Sequence, residues 1–165
     1  MSPSFLTWLG SRLGSEPGSL DVVLAAFADP AGAASSTLVR RTDLDAHGRV
    51  RRARSYRSSV SVYSPRDADD LVIVGRGLAG RLEVSIEVDP ARRGRGIGEA
   101  LAAGARSLAP DGEPIFAQVA PGNVASLRAF LAAGYRPICS EVLFLRRGHS
   151  ASRPPAEPAS DGFTA

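Results

Sequence analysis

The chain has 165 residues, 44% of them apolar, a formal charge of +3 and a single cysteine. That is enough chain for one domain with a buried core, and one thiol excludes an internal disulfide and a cysteine-based zinc site. All 20 cationic side chains are arginine, which excludes a Walker-type phosphate loop and a pyridoxal Schiff base, since both need a lysine.

Residues 1–19 have Gly, Ser and Pro at short intervals and read as a flexible N-terminal segment, with at most a short helix near Phe5 to Leu13. Residues 20–147 read as a single domain. Its first element, "SLDVVLAAFADP", has Ser19 or Asp21 as a cap, Val22, Val23, Ala26 and Phe27 on one side and Pro30 as a stop, which predicts a helix. "STLVRR" predicts a strand, and "LDAHGRVRRARSYR" a short basic helix with Asp45 as a possible cap. "SVSVYS" alternates like a strand, and "DLVIVG" reads as a buried strand closed by Gly75. "RLEVSIEV" is the fourth predicted strand, with Leu82, Val84, Ile86 and Val88 on one face and Glu83 and Glu87 on the other. After Pro90 the period changes, and Ile97, Leu101, Ala105 and Leu108 form a helical stripe. "IFAQVA" is the fifth strand. A second helix opens at Asn123, carries Leu127, Phe130 and Leu131, and ends at Gly134. "YRPICSEVLFLRR" supplies one or two closing strands. The Pro-, Ser- and Ala-rich residues 148–165 read as a disordered tail.

No apolar run approaches the ~20 residues of a membrane span. The opening "MSPSFLTWLGSRLG" lacks the basic start of a secretory signal, so the expectation is a soluble, cytoplasmic protein with no membrane partner. His47 and His149 lie far apart, and no metal is expected. Between Arg40 and Arg57 seven Arg stand against two Asp. Such a segment suits an anionic partner, but Tyr56 is its only aromatic residue, so nucleic acid is not the expected one.

The stretch "VDPARRGRGIGEAL", Val88 to Leu101, sits where a strand becomes a helix. The first free N–H groups of a helix point outward with about half a positive charge. Gly94, Gly96 and Gly98 would let an anion approach them without a Cβ in the way. The dinucleotide pattern G-x-G-x-x-G does not fit, because Glu99 or Leu101 occupies its last position. This stretch resembles motif A of the GNAT superfamily of N-acetyltransferases, [Q/R]-x-x-G-x-[G/A], through Arg93, Gly96 and Gly98. "NVASLRAFLAAGY" resembles the same family's motif B through Asn123, Ser126, Phe130, Gly134 and Tyr135. Together the two blocks cover about Leu71 to Arg147.

The resemblance implies an α/β (α+β) fold with a mixed, mostly antiparallel twisted sheet flanked by helices, and acetyl-CoA in the splay between the fourth and fifth strands. Backbone groups of Ile86, Glu87 and Val88 would meet the pantetheine and thioester. The amides from Gly94 through Arg95, Gly96, Ile97 and Gly98 to Glu99 would hold the pyrophosphate, with Arg93 and Arg95 adding charge. Asn123, Ser126 and Phe130 complete the cofactor-binding set. The implied activity is acetyl transfer from acetyl-CoA to a primary amine of an unidentified acceptor, by direct attack in a ternary complex. The backbone N–H of Val88 would be the oxyanion donor.

Two side-chain positions depart from the family. Many members carry a Tyr that protonates the thiolate where this chain has Phe130. Members that modify ribosomal-protein N-termini carry a Glu base where this chain has Gln118. Glu87 and Glu83 are the catalytic candidates that replace them, with Glu141 and Tyr135 as further acid–base groups. The alternative is a GNAT-fold module that binds CoA or acyl-CoA as a sensor or partner domain. A homodimer is compatible with either.

Overall fold

The computed structural model describes residues 2–29 and 38–146. Pro30, His149 and the tail at 148–165 lie outside them. The described residues fall into two compact units, one holding the residues up to Gly18 and those from Phe144, the other running from Ser19 to Leu143.

In the first unit, helix α1 spans Pro3–Leu13. Ser2 Oγ accepts from Phe5 N at 3.3 Å, and Gly14 ends the helix in the left-handed conformation at φ 59°. The short helix expected near Phe5 to Leu13 is present and starts at Pro3. Gly10 is buried, and a Cβ there would stand 2.8 Å from Ser15 O.

The remaining elements are β1 (Ser15–Phe27), β2 (Leu38–Arg41), α2 (Gly48–Tyr56), β3 (Ser58–Pro65), β4 (Leu71–Arg76), β5 (Leu82–Glu87), α3 (Ile97–Arg106), β6 (Pro114–Val119), α4 (Val124–Ala132) and β7 (Arg136–Arg146). One sheet contains all seven strands, in the order β2-β3-β4-β5-β6-β1-β7. The pair β5–β6 is parallel, whereas β2–β3, β3–β4, β4–β5 and β1–β6 are antiparallel. "DLVIVG" is buried from Leu71 to Gly75 because β4 lies between two apolar layers. Val72 and Val74 join Val84, Leu101, Ala105 and Phe130 in the larger core. Leu71 and Ile73 pack with Val50 and Ala53 of α2 in the smaller one. The helices α3 and α4 thus cover one face of the sheet and α2 the other.

The first domain element is a correction. Residues 15–27 form a strand in place of the helix expected from Ser19 to Pro30. Its partner is β6, in register from Val22↔Val119 to Phe27↔Pro114. Val23 and Leu24 are both fully buried, and Phe27, placed on the helical stripe, is 63% exposed. Two adjacent apolar residues buried on opposite faces are natural in an interior strand. The added strand makes the fourth and fifth predicted strands β5 and β6. The closing segment is one strand, and α2 is capped by His47, whose Nδ1 accepts from Arg49 N at 3.3 Å. Asp45, the expected cap, pairs with Arg54 instead, at 2.7 Å.

Candidate active site

Strands β5 and β6 pair at Leu82↔Ile115, Glu83↔Phe116 and Val84↔Ala117, and the pairing stops there. Both continue, β5 to Glu87 and β6 to Val119. The edges of Ser85, Ile86 and Glu87 therefore face those of Gln118 and Val119 without a ladder between them, and a wedge opens at the C-terminal ends of two parallel strands. Such crevices are where ligands bind in open sheets with parallel strands.

The chain leaves β5 through Asp89, whose Oδ1 accepts from Ala91 N at 2.8 Å, and makes one 3₁₀ turn at Pro90–Arg92. The turn is anchored from below. Asp70 has no exposed surface, and its carboxylate accepts from Asp89 N at 2.9 Å and from the Arg92 guanidinium at 2.6 Å. Gly94 and Gly96 then take φ values of 77° and 76°, and Gly96 caps α3. No atom lies within 4 Å of a Cβ built on either, so the space beside both glycines is open. Arg93 Nε donates back to Val88 O at 3.5 Å.

Gly98 has a different role. Its Cβ would stand 3.3 Å from Ala129 Cβ, 3.8 Å from Val88 Cγ2 and 3.9 Å from Ile86 Cδ1. It brings the start of α3 against α4 and the end of β5, so the motif residues from Ile86 to Gly98 converge with α4. At the start of α4, Asn123 Oδ1 accepts from Ser126 N at 3.1 Å. Phe130 goes elsewhere. It is 3% exposed, stacked edge-on against Tyr135 with centroids 4.9 Å apart, and belongs to the core. Tyr135 is 1% exposed, its hydroxyl donates to Ala102 O at 3.3 Å, and burial pushes its pKa above the ordinary value. It is no proton donor to a thiolate.

The catalytic candidates lie on the α2 face of the sheet and differ from one another. Glu83 is buried, and accepts from Arg57 Nε and Arg81 Nε, each at 2.8 Å, and from Leu78 N at 3.3 Å. Arg57 also donates to Ser85 Oγ at 2.9 Å. A carboxylate so held is committed to internal contacts. Glu87 faces Arg49, with Nε 2.8 Å from Oε2, but no donor is aligned on that oxygen and it is shielded from solvent. Glu141 receives both terminal nitrogens of Arg81, at 3.0 and 2.6 Å, and a hydrogen bond from Gln118 Nε2. The Arg81 guanidinium holds its carboxyl below the ordinary range, and Arg81 also lies over the Phe116 ring at 5.6 Å.

These contacts were not legible in the chain. Asp70, Arg57 and Arg81 reach the site through tertiary pairing, and the one local hint is an acidic run, "DADD", set directly before a buried strand. In the basic segment Arg41, Arg49, Arg54 and Arg57 are neutralised by Asp43, Glu87, Asp45 and Glu83. Most of the patch is spent on internal pairs. Among the described residues no group of three His, Cys, Asp or Glu could hold a metal, and no helix is long and apolar enough to cross a membrane.

Two solved structures share this architecture. A GNAT-family protein from Novosphingobium aromaticivorans superposes with a TM-score of 0.52 at 19% identity, over 80% of this chain and 66% of its own. A GCN5-related N-acetyltransferase from Sphaerobacter thermophilus superposes with a TM-score of 0.51 at 21% identity, over 87% of this chain and 56% of its own. The chain has the GNAT fold. At these identities the likeness is one of fold, and the chain spans less than two thirds of either neighbour's length. No protein-family profile and no curated protein matches the sequence. The mixed, mostly antiparallel GNAT sheet expected from the two motifs is present.

Proposed function

We propose that this GNAT-fold chain transfers an acetyl group from acetyl-CoA to a primary amine within a ternary complex. The observation that carries the reading is the wedge between parallel β5 and β6, which opens where the left-handed Gly94 and Gly96 lead into the start of α3. The amides from Gly94 to Glu99 would bind the pyrophosphate, helped by the charge of Arg93 and Arg95 and by the helix N-terminus. The free edge at Ile86, Glu87 and Val88 would take the pantetheine arm by strand-like pairing. Asn123 and Ser126 would border it. Phe130, buried behind them, would support the wall without touching the ligand.

In this reading the Val88 N–H stabilises the developing oxyanion, and holding both reactants in the wedge supplies effective molarities of ~10⁵ M or more. Of the two carboxylates on β5, Glu87 is the one we assign to accept the amine's proton. Glu83 serves by anchoring Arg57 and Arg81. A second reading, acyl-CoA binding without transfer, draws on Gln118 and Phe130 standing where the family places proton-transfer groups.

The test is direct. Acetyl-CoA should raise the melting temperature, since a ligand that binds only the folded state stabilises it by mass action. Gly96→Asp should abolish that rise while the variant still unfolds cooperatively. Thiol release with a primary amine, lowered at least tenfold in Glu87→Gln, supports transfer. Binding without release supports the second reading, and no thermal shift at millimolar acetyl-CoA refutes both.

A further inference from the structure

Gln118 is the first residue of β6 beyond the last pair with β5, Val84↔Ala117. It shares a face with Phe116, on the side of the sheet where β5 presents Glu83, Ser85 and Glu87. It is half-buried, and its Nε2 donates to Glu141 Oε1. That polarity follows from chemistry, because an ionised carboxylate can only accept, so the NH₂ end of the amide must face it. Glu141 in turn cannot swing away, since Arg81 holds both of its oxygens and is itself tied to Glu83. The amide's carbonyl end is left turned from Glu141, and no described residue donates to it.

We propose that Gln118 presents its amide oxygen to the acceptor amine, and that Glu141, held by Arg81, is the positioning residue that decides which end of the amide faces the substrate. The inference rests on the transfer reading above. A neutral primary amine gives one N–H to Gln118 Oε1 and keeps its lone pair for the thioester. As the carbon–nitrogen bond forms, the nitrogen gains positive charge and the hydrogen bond becomes charge-assisted, so it strengthens toward the transition state. The carbon–sulfur bond then breaks, CoA leaves as the thiolate with the electron pair, and the nitrogen's proton passes to Glu87. An amide at 118 in place of a carboxylate thus orients the amine without deprotonating it.

Two measurements on the full chain test this. In ¹⁵N-labelled protein, the Gln118 side-chain amide is assigned by its disappearance in Gln118→Met. One of its protons should lie downfield of free glutamine's and exchange slowly, and Glu141→Ala should abolish both features. An unshifted, fast-exchanging amide in the wild type overturns the proposal whatever the acceptor. In the second measurement, thiol release from acetyl-CoA is followed with phenethylamine, spermidine and a tetrapeptide bearing a free N-terminus. Gln118→Met and Glu141→Ala should each lower kcat about 10- to 100-fold, the worth of one hydrogen bond to a group becoming charged. KM for acetyl-CoA should stay within about twofold, because neither side chain belongs to the CoA-binding set. The double variant should be no slower than Gln118→Met, since Glu141 acts through Gln118. Full activity in Gln118→Met, or an undiminished effect of Glu141→Ala in the Gln118→Met background, overturns it. No release with any of the three amines, while acetyl-CoA still raises the melting temperature, refutes transfer and this inference together and leaves acyl-CoA binding standing.

Discussion

Replacing Asp70 separates the scaffold of the pyrophosphate loop from the loop itself. Its carboxylate is wholly buried and takes two hydrogen bonds, from Asp89 N and from the Arg92 guanidinium. Asp70→Ala orphans the Asp89 N–H, at about 1–2 kcal/mol for a partly buried donor. It also frees Arg92, whose side chain is 39% exposed and can rehydrate, so that term stays near ~1 kcal/mol. The sum is about 2–3 kcal/mol, or roughly 5–10 °C in melting temperature for a domain of this size. Asp70→Asn keeps an acceptor for Asp89 N and should lose about half as much. Urea unfolding measures the difference. Because the same bonds fix the turn that launches Gly94 and Gly96, the thermal shift produced by acetyl-CoA should shrink in Asp70→Ala by more than the stability loss accounts for. A loss below about 0.5 kcal/mol in Asp70→Ala, or equal losses in both variants, would refute the reasoning, since either result means that the carboxylate does not hold the turn.

The two kinds of motif glycine should part on substitution. Gly96→Ala meets no neighbour but strains a backbone held at φ 76°, so it should cost about 1–2 kcal/mol and weaken acetyl-CoA binding, whereas Gly98→Leu should push α4 away and appear in urea melts as a loss of about 1–3 kcal/mol. Tyr135, its pKa raised by burial, contributes stability that is complete below its ordinary value of 10.0 and is lost as pH rises above it. Tyr135→Phe should flatten the alkaline limb of a stability–pH profile and leave transfer per folded molecule unchanged. Glu141 has the opposite sign. Arg81 lowers its pKa, so its contribution is present above the ordinary value of 4.5 and is lost as pH falls through the folded one. Between about pH 5 and 3 the wild type should lose more stability than Glu141→Gln, which has no such carboxylate to protonate.

What the chain discloses and what it conceals divide along physical lines. The motif A loop was legible because its demands are local. Two residues must tolerate positive φ, and a helix must start at once, so Gly94, Gly96 and the stripe from Ile97 carry the whole signal within a dozen positions. The same holds for Asn123 as a cap and for β4, whose unbroken apolar run needs cover on both faces. The catalytic face was not legible, because most of its contacts join residues far apart in the chain. Arg57 meets Glu83 across 26 positions, Arg81 meets Glu141 across 60, and Gln118 meets Glu141 across 23. Arg81 stands two positions before Glu83, but the second guanidinium that locks it, Arg57, comes from 26 positions away, whereas Glu87 keeps an oxygen with no aligned donor.

Strand β1 shows why the local pattern misled where a strand took the place of a helix. "DVVLAAF" satisfies a helical stripe and an interior strand equally well, since a short apolar run without alternation has no period to read. What decides is the partner. Val22 to Phe27 pair antiparallel with β6 from Val119 back to Pro114, and that pairing buries Val23 and Leu24 on opposite sides of the sheet, as an interior strand requires. The consequence reaches the candidate site. Because β1 stays paired with β6 as far as Val22↔Val119, β6 is held from its far side along the whole length over which β5 has let go, so the wedge can stay open without leaving β6 an unsupported edge.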